Sequence, residues 1–148
     1  MSVIISPTAP IVTGTADMVM AVNCAVIGSN PGGHSEMIWY NDLARSKSQN
    51  PPSGPANPGV TDSSALAIVV APYTNYVVWE GQELSATYPD GDTLVFDIAY
   101  RPPFEEYAGT AHNNYHGWNC YSDDLRVVYQ YNYSGSKNKT CYAVYYCE

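Results

Sequence analysis

The chain has 148 residues, the size of one domain. Apolar residues make 45% of it, which excludes an intrinsically disordered chain, and charged residues only 14%, against a usual ~25%. Six Lys and Arg stand against fourteen Asp and Glu, a net charge of −8 that argues against nucleic acid and anionic membranes as partners.

Residues 1–16, punctuated by Pro, Thr and Ser, read as an extended entry strand. Asp17 to Ile27 (DMVMAVNCAVI) is a near-continuous apolar run, the pattern of a buried strand. Ser29-Asn30-Pro31-Gly32-Gly33 supplies the turn that ends it. The spacing of His34 to Ser46 predicts a helix: Ser35 is a fitting cap, and Met37, Tyr40, Leu43 and Ala44 share a face. Residues 47–64 hold four Pro and two Gly and read as a long surface loop within a single domain, 1–148. From Ala65 onward the pattern is β, with strands expected at Leu66–Ala71, Tyr76–Glu80, Glu83–Tyr88, Thr93–Arg101, Leu125–Tyr133 and Thr140–Cys147. Pro89-Asp90-Gly91-Asp92 is a hairpin turn, a stronger reading than a calcium-binding DxD. A second hairpin spans Ser134 to Lys139. Alternation places Tyr129, Tyr131 and Tyr133 on one face and Val128, Gln130 and Asn132 on the other. The expected fold is α+β: an antiparallel sheet with one or two helices packed on it, stapled by disulfides, with an all-β sandwich as the alternative. No apolar run reaches the ~18 residues of a membrane-spanning helix, so membrane insertion is not expected.

The four cysteines, Cys24, Cys120, Cys141 and Cys147, lack metal-ligand spacing, and their even number predicts two disulfides and an oxidising compartment. Within one straight strand, positions six apart lie about 20 Å apart. A disulfide needs Cα atoms within about 7 Å, so Cys141 is not expected to pair with Cys147. Two pairings remain: 24–141 with 120–147, or 24–147 with 120–141. Sequons at Asn132-Tyr133-Ser134 and Asn138-Lys139-Thr140 fit a secreted protein. No basic residue precedes Arg45, so no signal peptide is read. Extracellular location is the expectation, with cytoplasmic storage as the alternative.

Tyr supplies 14 of the 19 aromatic residues, and its apolar face and polar tip suit half-wet binding surfaces. Residues 101–124 show neither period 2 nor a sustained period 3.6, and read as an irregular binding segment pinned by Cys120. The segment holds a sugar-binding kit: Tyr115 and Trp118 to stack on a ring, with Arg101, His112, Asn114 and His116 to hold its hydroxyls. Tyr73, Asn75 and Trp79 offer the same chemistry elsewhere. His112 and His116 have the spacing of one-faced metal ligands, but the flanking Gly109 and Gly117 argue against the helix this needs, and no metal or other cofactor is expected. An acid–base reading also exists. His34, Glu80, Arg101 and His116 follow the order His, Glu, Arg, His of small fungal ribonucleases, a carboxylate base with an Arg clamp and a His acid.

The strands VVYQYNY (127–133) and CYAVYY (141–146) and the block HNNYHGWNCY (112–121) resemble the small fruiting-body defence lectins of mushrooms. That resemblance implies glycan recognition without catalysis, often by a dimer, in defence or toxicity. The expected function is therefore carbohydrate binding, with glycans or glycoproteins as partners. A secreted ribonuclease-type hydrolase is second. A secreted effector or inhibitor that binds protein is third.

Overall fold

The computed structural model describes residues 17–27, 32–40, 66–69, 76–132 and 138–148, and among these there is no helix. Nine strands form one antiparallel sheet: β1 Met18–Ile27, β2 Gly32–Tyr40, β3 Leu66–Ile68, β4 Gln82–Thr87, β5 Thr93–Ile98, β6 Tyr107–His112, β7 Gly117–Ser122, β8 Val127–Asn132 and β9 Asn138–Cys147. The α+β expectation is thus corrected to all-β. His34–Tyr40, the start of the expected helix, lies in strand β2, and residues 41–46 fall outside the described residues. The physical reason is burial on both faces. His34, Glu36, Ile38 and Tyr40 turn to one side and Ser35 and Met37 to the other, all of them buried. A strand covered on both sides shows no alternation, so its apolar residues mimic a helical spacing.

The strand order is β3-β2-β1-β9-β7-β6-β5-β4. β9 is the hub. One of its edges pairs with β1; the other pairs first with β8, over Asn138–Tyr142, and then with β7, over Tyr145–Cys147. The end strands β3 and β4 approach each other, and the segment 76–81 runs along the gap. There Val77 N donates to Ser35 Oγ (3.1 Å) and Gly81 N to Ile98 O (2.8 Å). The sheet is therefore a nearly closed barrel. Its interior is filled by Trp79, Phe96, Leu94, Met37, Tyr145 and Trp118. Trp79 and Phe96 meet edge to face, with centroids 5.6 Å apart. Burial of each such side chain stabilises the fold by about 1.5–3 kcal/mol.

A second apolar cluster covers the outer face of β1, β2, β8 and β9, with Met18, Met20, Ile38, Tyr40, Val128 and Tyr129. Val128 and Tyr129 were expected on opposite faces. They share this cluster because the β8–β9 register shifts between Val127 and Tyr129.

Both disulfides join directly paired residues: Cys24 with Cys141 and Cys120 with Cys147, each with Cα atoms 4.0 Å apart. The pairing excluded on geometric grounds is absent, and the first of the two remaining arrangements is the one formed. Residues 101–124, read as irregular, hold the β6–β7 hairpin. β6 (YAGTAH) hides its strand character because its small residues carry little apolar signal. It is also bulged between Tyr107 and Gly109. A Cβ added to Gly109 would lie 2.1 Å from the carbonyl oxygen of Asp97 on β5. Gly109→Ala should therefore cost about 1–3 kcal/mol in denaturant melts, by forcing β6 away from β5. The 24–141 link closes a separation of 117 residues and the 120–147 link one of 27. Loop-closure entropy then predicts that Cys24→Ala/Cys141→Ala destabilises by about 1 kcal/mol more than Cys120→Ala/Cys147→Ala, measured in parallel urea melts.

Candidate functional site

Two turns and the entry to β1 meet at one mouth of the barrel. The β4–β5 turn is closed by Tyr88 N to Asp92 O (2.8 Å) and Gly91 N to Tyr88 O (2.9 Å), with Gly91 at φ 92°. Only glycine adopts that backbone without strain. The Asp90 carboxylate accepts from Asp92 N at 2.8 Å, which fixes its direction. In the β6–β7 turn, Asn113 Oδ1 accepts from Tyr115 N (2.8 Å) and His116 N (2.7 Å). The amide of Asn113 is thereby oriented to donate to Asp92 Oδ2 (2.9 Å), tying the two turns together. At the entry to β1, Asp17 Oδ2 accepts from Trp39 Nε1 (2.8 Å) and its carbonyl from Trp118 Nε1 (3.3 Å).

These groups enclose a cavity of about 250 Å³. Trp39, Trp118, Tyr88 and Leu94 supply apolar wall, and Asp17, Asp90, Asp92 and Asn113 supply polar atoms. The indole N–H groups of both tryptophans are already engaged, so these side chains offer ring carbon to the cavity. The Tyr88 hydroxyl is buried and has no hydrogen-bond partner among the described residues. Burial, and then the charges of Asp92 and Asp90, push its pKa well above the ordinary tyrosine value.

Of the residues singled out from the sequence, Trp118 is only 1% exposed and serves both the core and the cavity wall. The His116 ring meets it edge-on at 5.9 Å. Tyr115, 78% exposed, and Asn114, also exposed, occupy the adjoining turn, and His112 is exposed at the end of β6. Trp79 lies deeper in the barrel, bonded to Asn23 Oδ1 (3.1 Å). Arg101 donates to the carbonyls of Val144 (2.9 Å) and Asp123 (2.5 Å) and lies over the Tyr145 ring at 5.2 Å. Glu80 accepts from Tyr145 OH (2.5 Å), so Glu80 and Arg101 converge on one tyrosine. His34 and His116 do not join them: His34 sits on the outer face with Glu36, and His116 beside Trp118. Tyr73 and Asn75 lie outside the described residues. Sequence reasoning missed Asp17, Trp39 and Tyr88, and read Asp90 and Asp92 as turn formers in preference to a calcium site. No local signal marks them, because barrel closure alone brings them together.

A second polar group is closed rather than open. Glu36, 1% exposed, accepts from His34 Nε2 (2.5 Å), from Tyr129 OH (2.7 Å) and from Lys139 Nζ. Burial alone would raise its pKa; the hydrogen bond to His34, the charge of Lys139 and the bond from Tyr129 outweigh it and hold the carboxyl below its ordinary value. The sulfurs of Cys24 and Cys141 lie near this carboxylate, but they are joined to each other and so are not thiolate ligands for a metal.

A depressed carboxyl pKa contributes stability above the unfolded-state value, and that stability is lost as pH falls through the folded-state value. Lys139→Met, which leaves Glu36 buried without its cation, should cost about 3–5 kcal/mol at neutral pH. The deficit should shrink once acid protonates Glu36, as read from urea melts across the acid range. The chain matches no protein-family model, no curated protein and no solved structure.

Proposed function

We propose that the protein binds carbohydrate, and that the barrel-mouth cavity is the site. The observation that carries this reading is the pairing of apolar ring surface from the half-buried Trp39, backed by the buried Trp118, with fixed acceptors on Asp90 and Asp92 in one concave space. A sugar ring has the matching chemistry: C–H faces that lie against aromatic carbon, and hydroxyls that donate to carboxylates. At about 250 Å³ the space is smaller than the ~300–1,000 Å³ typical of drug-sized ligands, so it takes one ring, such as a glycan terminus. Tyr115 and His116 stand at the rim, where a second residue of a glycan would pass. Secretion belongs to the same proposal, and the two disulfides are compatible with it.

A glycan array probed with labelled protein tests the reading. Binding confined to chemically related glycans, and blocked by the free sugar, is the expected outcome. Asn113→Ala removes the tie that orients Asp92 and should weaken binding about 10-fold while keeping the thermal unfolding profile of a folded protein. A blank array overturns the proposal.

A further inference from the structure

We infer that the sugar this cavity selects carries a protonated amine: the site is built for an aminosugar and discriminates against its neutral, N-acetylated and acidic relatives. The inference rests on the carbohydrate reading of the same cavity.

Charge is the first ground. Asp90 and Asp92 present carboxylates to the cavity, and no Lys, Arg or His is among the described residues that line it. The polar bonds these carboxylates accept come from neutral donors, a backbone N–H for Asp90 and the Asn113 amide for Asp92. Neutral donors orient a carboxylate without cancelling its charge. The contrast with Glu36, whose carboxylate is neutralised by Lys139 inside the same protein, is direct.

The second ground is independent of the carboxylates. The Tyr88 side chain is 8% exposed and lines the cavity, and its hydroxyl has no partner among the described residues. A buried polar group without a partner is rare in folded proteins and calls for a ligand atom or water. Tyr88, Asp90 and Asp92 line the same cavity. An ammonium group has three N–H donors and no acceptor. Two carboxylates and a phenol oxygen are the complementary set. A sugar hydroxyl would satisfy the phenol but leave both negative charges in place. An acetamido group is neutral and leaves both carboxylate charges uncompensated. A sugar carboxylate is repelled outright, both locally and by the net charge of −8.

The third ground is the wall itself. Cations are attracted to aromatic rings, and Trp39, Trp118 and Tyr88 line the space.

Calorimetric titration of the full chain at low salt tests the inference with four probes: a short glucosamine oligomer, its N-acetylated counterpart, the corresponding glucose oligomer, and ethanolamine as an amine without a ring. The glucosamine oligomer should bind about 10-fold or more tightly than the N-acetylated and neutral oligomers. Its affinity should fall with added salt, and fall again as pH rises through the amine pKa. Asp90→Asn and Asp92→Asn should each remove most of that preference, and Tyr88→Phe should reduce it while thermal unfolding shows a folded protein. Equal affinity for the three oligomers overturns the inference and leaves the carbohydrate reading standing. Ethanolamine binding as tightly as the glucosamine oligomer overturns the carbohydrate reading, and the aminosugar with it, while identifying a cation site. Silence from all four probes overturns the inference, and the glycan array then decides the carbohydrate reading. Because the wild-type comparison needs no variant, a substitution that fails to fold leaves the test intact.

Discussion

One unpaired residue sets the geometry of this barrel. In β9, Tyr145 pairs with Ala21 and Ala143 with Val22, so Val144 has no partner on β1. An extra residue inverts the alternation of everything beyond it. Cys141 and Cys147 are an even number apart and would otherwise face the same way. With the bulge between them, Cys141 joins the outer cluster and Cys147 the interior. The same residue marks where β9 exchanges β8 for β7 along its second edge. The carbonyl of Val144 accepts from Asp123 N (2.9 Å) and from Arg101 (2.9 Å), so the irregularity is held by a strand end and a guanidinium. Two faces of one sheet are thereby packed and crosslinked by a single strand.

Much of the β content is legible in the residues. β5 alternates cleanly, with Leu94, Phe96 and Ile98 buried and Thr93 and Asp97 exposed, and the Pro89–Asp92 turn carries its own chemistry. The double-faced β2 is not legible, because strand burial on two sides and helix burial on one produce the same apolar run. β6 is not legible either, since Ala108, Gly109 and Ala111 give no periodic signal and the close approach to Asp97 that selects Gly109 is a tertiary fact. Of the site, Trp118 and its neighbours are visible as a suitable kit. The other wall, Trp39 with Asp17 and Tyr88, comes from distant parts of the chain and appears only when the sheet curls.

Two acidic centres in this protein show opposite solutions to one electrostatic problem. At Glu36 the protein supplies every counter-group itself, from β2, β8 and β9, and leaves no room for anything else. Such a network ties the strands in one register, because a slip would strand a charge in apolar surroundings. At the barrel mouth the carboxylates of Asp90 and Asp92 are oriented by neutral donors beside open space, and a phenol waits with them. The first is architecture. The second is the site of the proposed binding, held by two hydrogen-bonded turns so that little ordering would be left for the moment of binding.

The position of β9 in the strand order also governs how the chain matures. Every other described strand precedes it, yet it belongs between β1 and β7. During synthesis the edges that β9 will fill stay bare until β9 itself emerges, an aggregation hazard common to sheets closed by distant segments. The thiols emerge in the same order, so Cys24 encounters Cys120 before either native partner exists. A premature 24–120 crosslink would hold β1 against β7 and shut out the strand that must lie between them. Correct maturation therefore depends on oxidation that lags behind the emergence of β9, or on thiol–disulfide exchange that undoes this early link.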